Sequence, residues 1–408
     1  MKTKAVRLYG ENDVRLEEFE LPELKNGEIL IKIVSDSVCM STYKTIKQGA
    51  KHIRVPDDVA EHPAIVGHEF CAQIAEVSEK WKDQYSVGDK VVMPPVLSYL
   101  GGMQTIGYTF EHIGGVSTYS IVPEHAVENG YLMKLDSEGY FGGSLIEPAS
   151  CVLRGYKANI HLDEEGIPFT NIKPGGKTAI LAGCGPMGLV AIDIALHGDV
   201  KPSLLVVTDL DNDRLARAKQ IFGNCTDVTV EFLNTSDKEE LLALTDGTGF
   251  DDVFVYAPVP AVVELADDLL GFDGCLNFFA GPMNKSFSAK FNFYNVHYAQ
   301  HHVAGTSGST TKDMEDIIRL LGEKRIDPAV MITHIGGLDA AIDTTVRLPQ
   351  IPGGKKLIYT HIDLPLTAIA DFEKLSKTDE RFWELDRLVQ ENNGVWSAKA
   401  ERYLLQNF

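Results

Sequence analysis

The sequence predicts an α/β protein in which a mostly-β first part is followed by a doubly wound parallel sheet. Three observations carry that reading. Residues 177–198, KTAILAGCGPMGLVAIDIALHG, pass from an apolar strand through Gly183, Gly185 and Gly188 into an apolar helix that stops at Gly198. Between about residues 160 and 325, strand-like and helix-like runs alternate, as parallel strands with crossover helices require. The first 150 or so residues show only short extended runs between glycine and proline signals.

In chain order, residues 4–9, 14–18 and 28–35 read as strands, the firmest being Ile29-Leu30-Ile31-Lys32-Ile33-Val34. Ser41 is placed to cap a helix over 42–48, because its hydroxyl can accept from the open backbone N–H groups of a first turn. Residues 47–58 read as a polar loop, and extended segments flank Gly67-His68-Glu69 between 65 and 77. A turn and strand follow at 87–92, and a helix starts within 144–151. Strands are then expected at 178–182, 204–208, 229–233, 252–256, 275–279 and 301–305. Residues 355–361 read as a strand returning to the first part, and about 35 closing residues as helical. The expected division is 1–157 with 326–408, and 158–325.

The glycine stretch is a dinucleotide site in sequence form. One glycine makes the turn, one lets a pyrophosphate approach the backbone, and one lets helix pack close to strand. The pyrophosphate is expected at the start of the helix that opens with Pro186 and Met187, on its unpaired backbone N–H groups. Asp209 closes the next strand 21 positions after Gly188. A carboxylate there accepts from a ribose 2′-OH and repels a 2′-phosphate, which favours NAD(H) over NADP(H), although Arg214 lies one helical turn beyond. Ala257, Ala280-Gly281 and Thr306, each just past an expected strand, are candidates to flank a nicotinamide. The apolar run is no membrane span, since it holds three glycines, Pro186 and Asp193, and a span needs about 20 uncharged apolar residues.

Composition narrows the partners. The 408 residues are 44% hydrophobic and 24% charged, with a formal net charge of −20; such a surface disfavours nucleic acid and anionic membranes. Cysteines stand at 39, 71, 151, 184, 225 and 275 without a C-x-x-C, which suits free thiols in a reducing compartment. The N-terminal MKTKAVRLYGENDV has no apolar core segment, so the cytoplasm is the expected location.

Cys39, His68, Glu69 and Glu147 precede the nucleotide fold and are of the types that hold zinc. Each also has a plain structural reading: a small buried thiol, a satisfied His-Glu pair, and a helix-opening carboxylate before proline. Gly67-His68-Glu69, Val87-Gly88-Asp89-Lys90-Val91, Glu147-Pro148 and Gly183-Cys184-Gly185-Pro186-Met187-Gly188, in this order, resemble the zinc-dependent medium-chain dehydrogenases. Met1-Lys2-Thr3, Val55-Pro56-Asp57-Asp58-Val59-Ala60 and Ala400-Glu401-Arg402-Tyr403-Leu404-Leu405 resemble a branch that reduces ketose 1-phosphates.

That resemblance implies a GroES-like catalytic domain beside a Rossmann domain. It implies zinc on Cys39 and His68, with Glu69 and Glu147 sharing the remaining position. Charge supports sharing, because one carboxylate with the thiolate neutralises Zn²⁺ and a second overshoots. It also implies a catalytic Ser41 that handles the substrate proton and a homodimer or homotetramer. Glu69 has a catalytic part in it, in which one of Glu69 and Glu147 ligates while the other steadies zinc-bound water, with exchange during turnover. Two departures matter. The family's second, structural zinc sits on clustered cysteines, and residues 93–110 contain none, so one zinc is expected. Beside Cys39, Thr42 stands where an Asp is usual and Lys44 where a relay His often stands.

The expected substrate is a small sugar or polyol, phosphorylated, interconverted between ketose and polyol by hydride transfer. Lys44, Arg54 and Arg154 are the phosphate candidates, with Lys47, Lys51 and His52 in the same basic cluster, and His112, His297, His301 and His302 could meet the sugar. Three other readings stay open: an unphosphorylated polyol substrate, a zinc-free reductase of the same fold, and a nucleotide sensor without turnover.

Overall fold

The computed structural model describes residues 1–97 and 104–408. The chain divides into two compact units, Met1–Glu147 with Ile332–Phe408, and Pro148–Met331. No helix among the described residues is long and apolar enough to cross a membrane.

The first unit is mostly β. Among the described residues, its small sheet runs in the order Asp13–Glu20, Lys2–Gly10, Ala64–Ile65. Its larger sheet centres on Ile29–Ser37, which pairs antiparallel with Phe70–Val77, Tyr119–Val122 and Lys355–Tyr359. Alternation explains why this strand lies inside. Ile29, Ile31 and Ile33 join one core with Phe70, Ala72, Ile74 and Val122, while Leu30 turns to Leu21 and Ile121 on the other face, as a two-residue period demands. The strand then delivers the chain to Cys39.

One expectation is corrected here. The helix after this strand is Met40–Gln48, and its cap is Cys39, whose Sγ accepts from the Ser41 backbone N–H at 3.5 Å. The thiol takes the place expected of the Ser41 hydroxyl, and that hydroxyl donates to the thiol. Near the C-terminus, Lys355–Tyr359 is the returning strand, followed by helices Phe372–Leu375, Arg381–Glu391 and Ala398–Asn407.

Among the described residues, the larger sheet of the second unit has six strands in the order Thr229–Leu233, Leu204–Thr208, Lys177–Leu181, Phe250–Val255, Leu270–Phe278, His302–Ala304. Every pairing in it is parallel. In sequence order that is 3-2-1-4-5-6, the doubly wound arrangement with its crevice beyond the strand C-termini. Ala179, Val206, Val253 and Leu276 form its core with Leu269 from a crossover helix. Leu270–Phe278 starts five residues before the expected 275. It pairs from Leu270 but with an irregularity before Cys275, where Asp273 adopts φ 59°; a bulge of that kind hides a strand's start from any alternation rule.

Candidate active site

In the first unit, Cys39 at the head of its helix meets the turn between Ala64–Ile65 and Phe70–Val77. Ligand atoms of Cys39, His68 and Glu69 all lie within 4.8 Å of one another. Ser41 Oγ donates to Cys39 Sγ at 2.8 Å and sits 3.2 Å from His68 Nε2. Burial, reinforced by Glu69 and Glu147, pushes the Cys39 thiol up to about 12. A thiolate therefore needs a cation beside it, and the His68 Nδ1 atom is buried without a partner. Thiolate, imidazole and carboxylate in one buried cluster form a donor set that fits zinc.

Glu69 is not idle. Its Oε2 accepts from Ser37 Oγ and from Lys355 Nζ. Burial works against the charged carboxylate, but Lys355 and His68 outweigh it and hold Glu69 below the usual range. Lys355 is itself buried, and the same pairing lifts its ammonium above the usual range against the pull of burial. Glu147, in the first turn of helix Ile146–Lys157, bears electrostatically on Cys39, Tyr108 and Lys355.

Sequence reasoning missed Lys355 and Tyr108. A lysine pair in an otherwise apolar returning strand was the available signal for Lys355. Tyr108 carried none, because only the fold brings its ring 5.5 Å from that of His68 and 5.3 Å from that of His52. Its hydroxyl, hydrogen-bonded with Ser41, is pushed up to about 12 by burial, with Cys39 adding to the rise.

The basic candidates divide. Arg54 lies 5.8 Å over the Tyr108 ring, and burial with Arg54 and Lys44 nearby pushes His52 below its usual value. His52 and Arg54 thus meet one aromatic that borders the cluster, and Lys44 is near enough to His52 to bear on its charge. Lys51 pairs with Glu11, and Lys47 leans on Tyr43. Arg154 lies in the second unit, ion-paired to Asp313 at 3.6 Å. His301 and His302 face Asp267 and Asp273, His297 packs on Tyr298, and His112 is pushed down by burial. Of the cysteine-free stretch 93–110, residues 98–103 lie outside the described residues.

In the second unit the glycine turn is built as a cradle. A Cβ on Gly188 would stand 2.0 Å from the Gly183 carbonyl oxygen, whereas one on Gly185 would meet nothing within 4 Å. Gly188 therefore permits close packing, and Gly185 leaves open space at the start of helix Pro186–His197, which no side chain caps. The left-handed turn residue is Ala182, at φ 55°, rather than a glycine. Asp209 Oδ2 accepts from the Cys184 N–H at 3.0 Å, so the acid also braces the turn. Arg214 pairs with Asp211 at 3.5 Å. Met187 shares the helix's first turn, and Ala257 and Thr306 follow strands Phe250–Val255 and His302–Ala304 at their C-terminal ends. An open cradle over uncapped N–H donors fits a dinucleotide pyrophosphate.

A cysteine–histidine–glutamate cluster in a β unit, with a doubly wound nucleotide-type sheet in the other unit, is the combination of a metal-dependent dehydrogenase. Residues 186–323 match the family described as zinc-binding dehydrogenase, and residues 25–130 match the alcohol dehydrogenase GroES-like domain. The chain belongs to this zinc-type, medium-chain dehydrogenase family. It is 46% identical to mannitol-1-phosphate 5-dehydrogenase of Aliivibrio fischeri, over 99% of this chain and 98% of that one. It is 44% identical to L-sorbose 1-phosphate reductase of Klebsiella pneumoniae, over 99% and 97%. Among solved structures, the 2R,3R-butanediol dehydrogenase of Bacillus subtilis matches with a TM-score of 0.71 and 24% identity, over 88% of this chain and 100% of that one; that likeness concerns the fold.

Proposed function

We propose that the protein interconverts a ketose phosphate and a polyol phosphate by hydride transfer with NAD(H), L-sorbose 1-phosphate to D-glucitol 6-phosphate being the leading pair. The observation that carries the reading is the grouping of His52 and Arg54 on Tyr108, with Lys44 bearing on His52, next to the Cys39–His68–Glu69 cluster. Among the described residues, neither Lys44 nor Arg54 has a carboxylate partner, which leaves their charge for a substrate phosphate in an acidic protein. Two relatives named for sugar or polyol phosphates support the same substrate class.

Zinc, when bound, supplies a Lewis acid for the substrate oxygen, and the nicotinamide supplies the hydride. The chain's own residues do the rest. Cys39 and His68 hold the metal with one carboxylate. Glu69 lies in the cluster and Glu147 bears on it electrostatically, so the two carboxylates share the remaining position, with Lys355 and Ser37 holding one oxygen of Glu69. Ser41 holds or releases the substrate proton at its Oγ, and the Tyr108 hydroxyl, protonated throughout the neutral range, is its hydrogen-bond partner. Arg54 and Lys44 fix the phosphate, so that the same carbon is always presented. Asp209 favours NAD(H), because it meets a ribose hydroxyl and repels a 2′-phosphate.

A panel of ketose 1-phosphates, mannitol 1-phosphate and the unphosphorylated sugars, each with NADH or NADPH in the appropriate direction, tests the reading. The phosphorylated substrates should lead in kcat/KM. Arg54→Ala should raise KM for them about tenfold or more, as loss of a charged contact does, with little change for unphosphorylated polyols. Equal use of sorbitol and its 6-phosphate would sink the phosphate assignment, and a hundredfold preference for NADPH would sink that of Asp209.

A further inference from the structure

Another carboxylate is buried in the unit that holds the metal cluster, and it comes from the far end of the chain. Glu401, in the closing helix Ala398–Asn407, is 2% exposed. Its Oε2 accepts from the Tyr140 backbone N–H at 2.6 Å, and its Oε1 from the Phe141 backbone N–H at 2.7 Å and the Tyr359 hydroxyl at 2.8 Å. Trp396 Nε1 donates in turn to the Tyr359 oxygen at 2.9 Å, so the donors run one way and end on Glu401. All three of its partners donate, the arrangement an ionised carboxylate wants. The space is reserved for it: a Cβ on Gly139 would come within 2.6 Å of Glu401 Oε2.

What makes this more than a satisfied buried group is where its partners lead. Phe141 opens the short helix Phe141–Ser144, whose Ser144 hydroxyl is bonded to the Ser35 hydroxyl and carbonyl, and Glu147 follows three residues later. Tyr359 closes the strand Lys355–Tyr359, whose first residue is the partner of Glu69. One carboxylate therefore ties down both the segment that presents Glu147 and the strand that holds Glu69. We infer that Glu401 is a positioning residue for the metal site, through which the C-terminal helix sets the placement of Glu147 and of the Lys355–Glu69 pair. The inference rests on the metal reading given above. It concerns a part of the chain outside both matched family domains.

The test compares full-length zinc protein with Glu401→Gln, Tyr359→Phe and Gly139→Ala, the last crowding the same carboxylate from the opposite side. Zinc release to a chelator and the visible spectrum of the cobalt-substituted protein are the readouts, with Cys39→Ser as a reference. Glu401→Gln should release zinc about tenfold faster, the low end for groups behind metal ligands. It should also shift the cobalt bands and lower kcat while leaving the KM for NADH unchanged. The other two variants should move the same readouts less. Wild-type zinc release and cobalt bands in Glu401→Gln, with only a lower melting temperature, overturn the inference by making the clamp merely structural. If Glu401→Gln yields no folded protein, wild-type readouts in both milder variants overturn it equally. Full zinc retention by Cys39→Ser instead overturns the metal reading, and the inference with it.

Discussion

Lys355 and Glu69 form the kind of contact whose value depends on which partner is removed. Both side chains are almost fully buried, so truncating one leaves the other's charge without water or partner. Lys355→Met should therefore destabilise the protein by about 3–5 kcal/mol, the usual cost of a half-broken buried pair. The double variant Lys355→Met/Glu69→Gln should recover much of that loss, and denaturant melts read both; an unchanged midpoint in the single variant would refute the pairing. A second residue, His161, carries a pH dependence. It is fully buried between Asp252, 2.9 Å from its Nε2, and Asp273, while Lys173 and His302 face those same acids. Burial disfavours its charged ring, but Asp252 outweighs burial and the net shift is upward. A raised folded value means stability that is complete below the unfolded imidazole value of about 6.5 and lost as pH rises through the folded value. The wild type should thus lose stability relative to His161→Asn above about pH 6.5, and parallel pH profiles for the two would refute this.

At the scale of elements, the glycine turn makes the sharpest demand. Gly188→Ala would place a methyl 2.0 Å from the Gly183 carbonyl, so helix Pro186–His197 must lift from the turn. Overpacking of this kind costs about 1–3 kcal/mol, and the displaced N–H donors should weaken NADH binding at least tenfold by fluorescence titration. Unaltered binding would show that the helix start does not hold the pyrophosphate. This element was legible because glycine spacing, apolar strand and acid answer to one local geometry. The parallel, doubly wound sheet was legible from the alternation of strand and helix for the same reason, while the order of its strands came only from the fold. What escaped was decided by chemistry that no period records. A thiol replaced a hydroxyl as helix cap at Cys39, a left-handed Asp273 hid the start of Leu270–Phe278, and Ala182 took the turn conformation expected of glycine. Around the metal cluster, residue types alone drew attention to Cys39, His68 and Glu69, whereas Tyr108 and Lys355 come from segments tens to hundreds of positions away in the chain.

For the molecule as a whole, the two units divide the chemistry between them. The metal candidates all belong to Met1–Glu147 and the nucleotide candidates all to Pro148–Met331, so the two functions should be separable by experiment. Purified protein should contain one zinc per chain by elemental analysis, because residues 93–110 hold no cysteine for a second, structural ion. Stripping that zinc should abolish turnover while NADH still binds with its original affinity, since no side chain in the glycine cradle or at Asp209 is a metal donor in the Cys39–His68–Glu69 cluster. Readdition of Zn²⁺ should restore activity in proportion to the metal taken up. Two zinc ions per chain would refute the single metal site, and NADH binding lost together with the metal would refute the division of the two functions.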